Sequence, residues 1–528
     1  MILSGFMKII ISLLLTFIIG QSLFAQSQFQ HRYGSPFSDY ANRIIQTHDG
    51  NYVVVGLTNG FGSSGNAFIG KVNSTGKLLW LKDYAGINID EAFDVLETAD
   101  FDLVICGSTY SFGSGYTDGF IMKTDSLGNI KWAKAYGKQV SDEFYVIKED
   151  TAGGYFVAGI STKANNNAQL GTALLRLDSV GNIIWERWVY AWSTQGSGNY
   201  PIDMTTTSSG DVLLTGVNHS NGEINCWKFS MSGSLIWSYG FDVRSASGLR
   251  FTENLSGDIF INYYTAGVAG SNDMALLKLN ASGNILWSKS YGGTYVDWPT
   301  AITQTSDGGV AVSGITNSIG NGDYDSFILK VDSNGAVQWA KTYGTVWRER
   351  PTSVSQTLDG GYILCGQTFS YGSNADSLKV HVVKTDSLGE TSCNYILWNP
   401  VVMDDTVALT ASLVPDTIVV HVDTITWPVN NRTIYDIDMC NTTSVAGLDP
   451  EIGFSIYPNP FSSQIAIHIP GRNFDDYECA ILNTVGQVVF RDKVIDNELI
   501  NLQFLASGIY YLEVSSQVKQ MFRVIIKQ

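Results

Sequence analysis

The chain has 528 residues, 44% of them hydrophobic and 15% charged, which allows more than one buried core and excludes a disordered polymer. Its formal net charge of −17 disfavours nucleic acids and anionic membrane surfaces, both of which select clustered Lys and Arg. With 53 glycines, 11 prolines and 12% aromatic residues, the composition points to tight turns between aromatic-rich strands, an all-β protein.

Residues 1–25 carry one cation, Lys8, then the apolar run Ile9 to Ile19, then small and polar residues ending at Ala25. This is the pattern of a cleavable signal peptide, so the chain is expected to be exported through the periplasm and then secreted or attached to the outer surface. After its removal no stretch reaches the roughly 18 apolar residues that a membrane-spanning helix requires.

Residues 26–393 repeat. Trp80, Trp132, Trp185, Trp237, Trp287 and Trp339 recur about every 52 residues, each ending a Gly-x-x-x-Trp. Nine residues before each stands a cation: Lys71, Lys123, Arg176, Lys228, Lys278 and Lys330. Lys384 makes a seventh, with Cys393 in the Trp position. Between cation and Trp lies a tight turn such as Asp125-Ser126-Leu127-Gly128, and an earlier turn of Asp307-Gly308-Gly309 type precedes it. Each unit therefore reads as four short strands, and seven units read as a seven-bladed β-propeller. The seventh unit lacks its outer strand. Phe29-Gln30-His31-Arg32-Tyr33-Gly34 has the missing pattern and is expected to complete it from the other end of the chain, which removes an exposed edge.

The turn with its Trp resembles the tryptophan-docking repeat of pyrroloquinoline-quinone dehydrogenases, in which the Trp packs between blades. The resemblance implies a structural role for the repeated Trp. No adjacent-cysteine pair of the cofactor-clamping kind accompanies it. The repeated cation is expected to lie on aromatics and meet a turn carboxylate or carbonyl.

Six residues after the blade-ending Tyr of five units comes an acid, Asp39, Asp90, Asp142, Asp297 and Glu349, and blades four and five depart from the pattern. These five are the candidates for a cation site, with Ca²⁺ as the hard cation that carboxylates suit, or else each bonds backbone amides locally. No other cofactor is expected. Aromatic and basic residues on the longer loops, Trp298, Trp347, Arg348, Arg350, Trp192 and Tyr200, are the candidates for contacting a glycan or a protein ligand. No catalytic residue is assigned: the six histidines form no zinc pair, Gly60 to Gly65 precedes a strand instead of a helix, and no nucleophile elbow occurs.

Residues 394–446 alternate β-branched and polar residues and read as a β-rich linker, with a disulfide expected between Cys393 and Cys440. Residues 447–528 contain Tyr457-Pro458-Asn459-Pro460, then Gly486-Gln487, then Gly508-Ile509-Tyr510. In order and spacing these blocks resemble the C-terminal sorting domain of type IX secretion. The resemblance implies a small Ig-like β-sandwich recognised by the outer-membrane translocon and cut off by a surface sortase.

The leading functional reading is a non-enzymatic binding or adhesion module for glycan or protein. The alternatives are an enzyme on the same scaffold, either a quinoprotein-like oxidoreductase or a glycan-active hydrolase or lyase, and a structural surface component.

Overall fold

A computed structural model describes residues 27–527 apart from 36, 61–63, 138–140, 164–168, 190–198, 219–222, 244–249, 267–271, 321–322, 346–347, 370–377, 394, 406, 411–420, 433, 441–454, 458–462, 469–477, 484–486, 494–498 and 516–519. The expected signal peptide lies outside these residues. Every regular element among the described residues is a strand. No described helix is long and apolar enough to cross a membrane. The chain divides into two compact units, one running through residue 439 apart from 369–377, the other holding 440–528 with 369–377.

The first unit contains seven antiparallel sheets built on consecutive strands. Their opening strands are Asp39–Gln46, Asp90–Glu97, Asp142–Glu149, Asn199–Thr206, Arg250–Glu253, Asp297–Gln304 and Glu349–Gln356. The opening strand of each packs against that of the next, and the seventh packs against the first. The middle strands are buried throughout, as in Tyr52–Thr58 and Leu103–Thr109. A strand covered on both faces needs a continuous apolar run instead of alternation, and these sequences supply it. Seven apolar clusters form the core, each spanning one pair of neighbouring sheets. Cys106 and Cys365 are free thiols inside two of these clusters, small core residues in equivalent strands.

The repeat signature serves these junctions. Asp125 opens its turn by accepting from the amides of Leu127 at 2.9 Å and Asn129 at 2.8 Å, and Gly128 takes φ 76°, which an L side chain adopts only with strain. The neighbouring sheet then uses that turn. A Cβ on Gly128 would stand 3.1 Å from the Trp80 ring, and the Tyr84 hydroxyl donates to the Gly128 carbonyl at 2.7 Å. Tyr136 to Gly181, Tyr291 to Gly335 and Tyr343 to Gly389 repeat the bond at 2.7, 2.8 and 2.7 Å. All seven repeated cations meet a carboxylate of the earlier turn in their own sheet, among them Lys71 with Asp49 at 2.7 Å and Lys384 with Asp359 at 2.8 Å.

The seventh sheet is completed by Phe29–Gly34, which pairs with Lys379–Thr385 in the register Phe29 to Lys384 and Tyr33 to Val380. The segment read from sequence as a linker adds further strands. Tyr395–Leu397, Val401–Asp404 and Ala408–Thr410 extend the sixth, fifth and fourth sheets. His421–Thr424, Val429–Arg432 and Tyr435–Asp438 extend the second, first and seventh. The third sheet has four strands among the described residues. These strands are short because each answers only the exposed edge of one sheet.

The second unit has a three-stranded sheet, Ser455–Tyr457, Gln464–His468 and Leu499–Asn501, and a four-stranded sheet of Val488–Lys493, Glu478–Leu482, Gly508–Ser515 and Gln520–Lys527. Ile465, Ile467, Cys479, Ile481, Leu502, Leu512 and Val514 form one core shared by the two.

Candidate functional site

The connections that enter the opening strands share one end of the seven sheets with those joining second to third strands. The periodic acids lie there. Asp39, Asp90, Asp142, Asp297 and Glu349 are each the first residue of an opening strand and all are buried. Asp90 accepts from the Gly86 amide at 2.9 Å, the Thr109 hydroxyl at 2.5 Å and the Ser111 hydroxyl at 2.8 Å. Asp39 accepts from the Ser35 amide and hydroxyl and from Thr58, Asp297 from the Gly293 amide and Ser318, and Glu349 from Thr345 and Thr368. Each of these four carboxylates thus ties the loop before its strand to the end of the second strand of its own sheet. Among the described residues no three or more His, Cys, Asp or Glu side chains are grouped to hold a metal ion.

Burial raises the carboxyls of Asp39 and Asp90, against their hydroxyl and amide donors. A second acid stands beside some of them from the third strand of the preceding sheet. Asp118 is pushed up to about 6 by burial and by neighbouring Asp142. Asp297 reaches about 6 through burial, with Asp273 adding to the effect.

The loops that these acids tie down shape an open groove of about 840 Å³ across the first and second sheets. It is lined by Phe37, Asn59, Ser64, Gly65, Asn88, Ile89, Tyr110, Gly115 and Tyr116. No lining residue is charged. Phe37 is 60% and Tyr116 73% exposed, and the Tyr110 and Tyr116 rings meet edge to face at 5.5 Å. The walls are stitched by backbone bonds from Tyr110 to Ile89 and from Asp90 to Gly65, and by the Asn88 amide donating to the Tyr110 carbonyl at 3.1 Å. None of these residues was a ligand-binding candidate from sequence, where Ser64 and Gly65 figure only in the Gly60 to Gly65 run. The available signal was Tyr110 and Tyr116 flanking a Ser- and Gly-rich connection, which periodicity alone does not distinguish from any turn.

The aromatic and basic candidates are spread over other sheets. Trp298 is the second residue of the sixth opening strand, 38% exposed, with its ring 6.1 Å from Tyr264. Arg350 holds the equivalent position in the seventh opening strand and is exposed. Arg348 is held at 2.6 Å by Asp323 and lies 4.9 Å over the Tyr324 ring. Trp192 and Trp347 lie outside the described residues. Tyr200 is placed by its backbone, opposite Val217. The same second position holds Glu91 and Glu143 in the second and third opening strands. Burial raises both carboxyls, and Glu143 repels the charge on Glu91. Asn42 donates to Glu91 at 2.8 Å and Tyr145 to Glu143 at 2.6 Å.

Of the six cysteines, Cys106, Cys226, Cys365 and Cys479 are free, and Cys393 and Cys440 are disulfide-bonded. In the second unit Tyr457 closes the first strand of the three-stranded sheet, while Pro458, Asn459, Pro460 and Gly486 lie outside the described residues. The Gln487 amide donates to Asn483 at 2.9 Å in the turn of a hairpin. Gly508 opens a strand in which the Tyr510 hydroxyl donates to the Ala506 carbonyl at 3.0 Å.

Comparison with known proteins assigns this unit. Residues 455–528 match the secretion system C-terminal sorting domain family. A curated relative, the regulatory protein FlaEY of Caulobacter vibrioides, is 28% identical over 116 residues, which covers 20% of this chain and 12% of that protein. Among solved structures, a protein of unknown function from Dyadobacter fermentans matches at 11% identity and TM-score 0.34, covering 60% of this chain and 97% of its own. The phage phi92 endosialidase matches at 10% identity and TM-score 0.36, covering 68% and 69%. The extracellular domain of a hybrid two-component system from B. thetaiotaomicron matches at 9% identity and TM-score 0.26, covering 92% and 72%. Likenesses of that size carry no argument about activity. The sequence blocks, the strands they occupy and the family match agree on one conclusion: the C-terminal residues are a type IX secretion sorting domain, and the chain that bears them is exported to the cell surface or beyond.

Proposed function

We propose that the first unit is a seven-bladed β-propeller that binds a neutral saccharide in the groove of its first and second blades. The cyclic packing of seven opening strands and the N-terminal strand in the last sheet support the architecture. The uncharged groove carries the ligand reading. In a chain of net charge −17, a groove without one charged side chain suits a neutral, hydroxyl-rich partner. The rings of Tyr110, Tyr116 and Phe37 suit stacking on sugar faces, and Asn59 and Asn88 bring both donors and acceptors for hydroxyls. The protein is then a surface or secreted binding module, delivered when the translocon reads its C-terminal domain and a sortase removes it.

The test is a glycan array followed by calorimetric titration of the mature protein, with Tyr116→Ala and Tyr110→Ala as site variants. Binding that weakens at least tenfold in both, with unchanged melting temperature, supports the reading. Saccharides that ignore the folded protein overturn it and leave a protein partner. Binding lost instead in Trp298→Ala would move the site to the sixth blade.

A second reading, glycan hydrolysis, rests on Glu91 and Glu143, which hold the same position in neighbouring opening strands and repel each other's charge, so that one stays protonated as the acid while the other ionises as the base. Release of reducing sugar abolished in both Glu91→Gln and Glu143→Gln would establish it.

A further inference from the structure

The outer strands drawn from residues 395–438 visit the sheets in the order six, five, four, two, one, seven, the reverse of the order in which the chain built them. Each pairs antiparallel with the outermost strand of its sheet. We infer that the six described strands between residues 395 and 438 form a belt around the propeller rim, buckled by the Cys393–Cys440 disulfide, that restrains the blades from parting.

Three sets of contacts carry this. The first is a series of apolar wedges. Trp398 enters the core between the fifth and sixth blades, 5.0 Å from Phe327. Val407 packs against the core of the fourth and fifth, Ile425 and Trp427 enter that of the first and second, and Ile434 packs against that of the seventh and first. Trp427 is 3% exposed and stands 4.5 Å from Phe120. The second set is polar. Tyr263 donates to Asp405 at 2.7 Å, Arg432 pairs with Asp83, and His31 meets Asp436 at 2.6 Å. The third set joins the belt's two ends at one residue. The Gln30 side-chain amide donates to the Cys393 carbonyl at 2.6 Å, and the Met439 amide donates to the Gln30 carbonyl at 2.7 Å. Since four of the six cysteines are free, the disulfide of Cys393 and Cys440 closes the belt at the strand that also closes the ring.

A strand of three or four residues on an exposed edge frays when its ends are loose. A closed loop has no loose end, so one segment cannot peel without displacing its neighbours. The consequence is kinetic: contacts at the rim that form late resist unfolding more than they speed folding. On an exported protein exposed to proteases, the unfolding rate is the quantity that sets survival.

The experiment compares unfolding of the full chain in guanidinium, followed by tryptophan fluorescence, with that of the Cys393→Ser/Cys440→Ser variant. The belt predicts unfolding faster by about a hundredfold in the variant. A variant rate within threefold of the parent overturns the inference. Should the variant fail to fold, hydrogen exchange on the parent decides: amides of Val401–Asp404 and Val429–Arg432 exchanging as slowly as those of the buried strand Tyr52–Thr58 support the belt. Exchange there several orders of magnitude faster rejects it.

Discussion

Arg432 and Asp83 form a two-point ion pair in which Nε lies 2.6 Å from one carboxylate oxygen and Nη2 3.2 Å from the other. Asp83 is fully buried and also accepts from the Asn66 amide at 2.8 Å, so its charge depends on partners from two parts of the chain. Removing the guanidinium leaves a buried carboxylate uncompensated. Arg432→Ala is expected to lower unfolding free energy by about 3 kcal/mol, and adding Asp83→Asn to recover most of it. Guanidinium denaturation of the single and double variants checks this. Equal losses in both would mean that Arg432 acts through its stem alone.

The tyrosine rungs give a second prediction. Tyr136 and Tyr343 each donate to the carbonyl of a turn glycine in the adjoining sheet, at 2.7 Å in both cases. Changing either to Phe keeps the ring and strands a buried carbonyl, so each is expected to cost about 1–2 kcal/mol in chemical denaturation. Tyr145, whose hydroxyl donates to Glu143 in a part-buried setting, is expected to lose less.

Stability should fall from mildly acidic to alkaline solution. Asp118 and Asp297 have folded values of about 6 against 3.8, so they favour the folded state in full below pH 3.8 and lose that contribution as pH rises through 6. Asp307 works the other way: burial pulls it up, but Thr305 and Lys330 hold it at about 2, so its contribution is present above 3.8 and is lost as pH falls toward 2. The melting temperature is therefore expected to be higher at pH 5 than at pH 8, with Asp307 offsetting part of the further gain below pH 3.8. A maximum at pH 8 would show that the junction carboxyls do not govern the alkaline side.

Metal removal is expected to change little. At four of the periodic acids, amides and hydroxyls of the same sheet occupy the carboxylate, which leaves few oxygens for a shared cation. The melting temperature with EDTA should equal that with Ca²⁺. A Ca²⁺-dependent rise that disappears in Asp90→Asn would instead make this end of the seven sheets a cation site.

Asp90 also organises the groove, since its partners Gly86, Thr109 and Ser111 border Asn88, Ile89 and Tyr110. Asp90→Ala should therefore weaken saccharide binding at least tenfold, although Asp90 is not among the lining residues. Titration of this variant beside Asp297→Ala, which ties loops of another sheet, separates a groove effect from general loosening.

The repeat was legible because it is local chemistry. A turn needs Asp or Asn at its start and Gly at its end, and a strand buried on both faces needs Val, Ile and Leu in a run, as in Tyr52–Thr58. Seven copies of such chemistry can be counted in a line of text. The pattern of Phe29 to Gly34 similarly announced the strand that the seventh sheet lacked.

By itself the sequence determined the all-β class, the seven-unit repeat, the completing N-terminal strand and the sorting domain, because periodicity and short motifs encode them within a few tens of residues. Tertiary structure alone decided where residues 395–438 go, because a sheet edge accepts any extended backbone through main-chain bonds that leave no mark on side-chain order. It also decided that Asp39, Asp90, Asp297 and Glu349 bond their own loops and that Phe37, Tyr110 and Tyr116 share one groove, since both depend on distances between residues far apart in the chain.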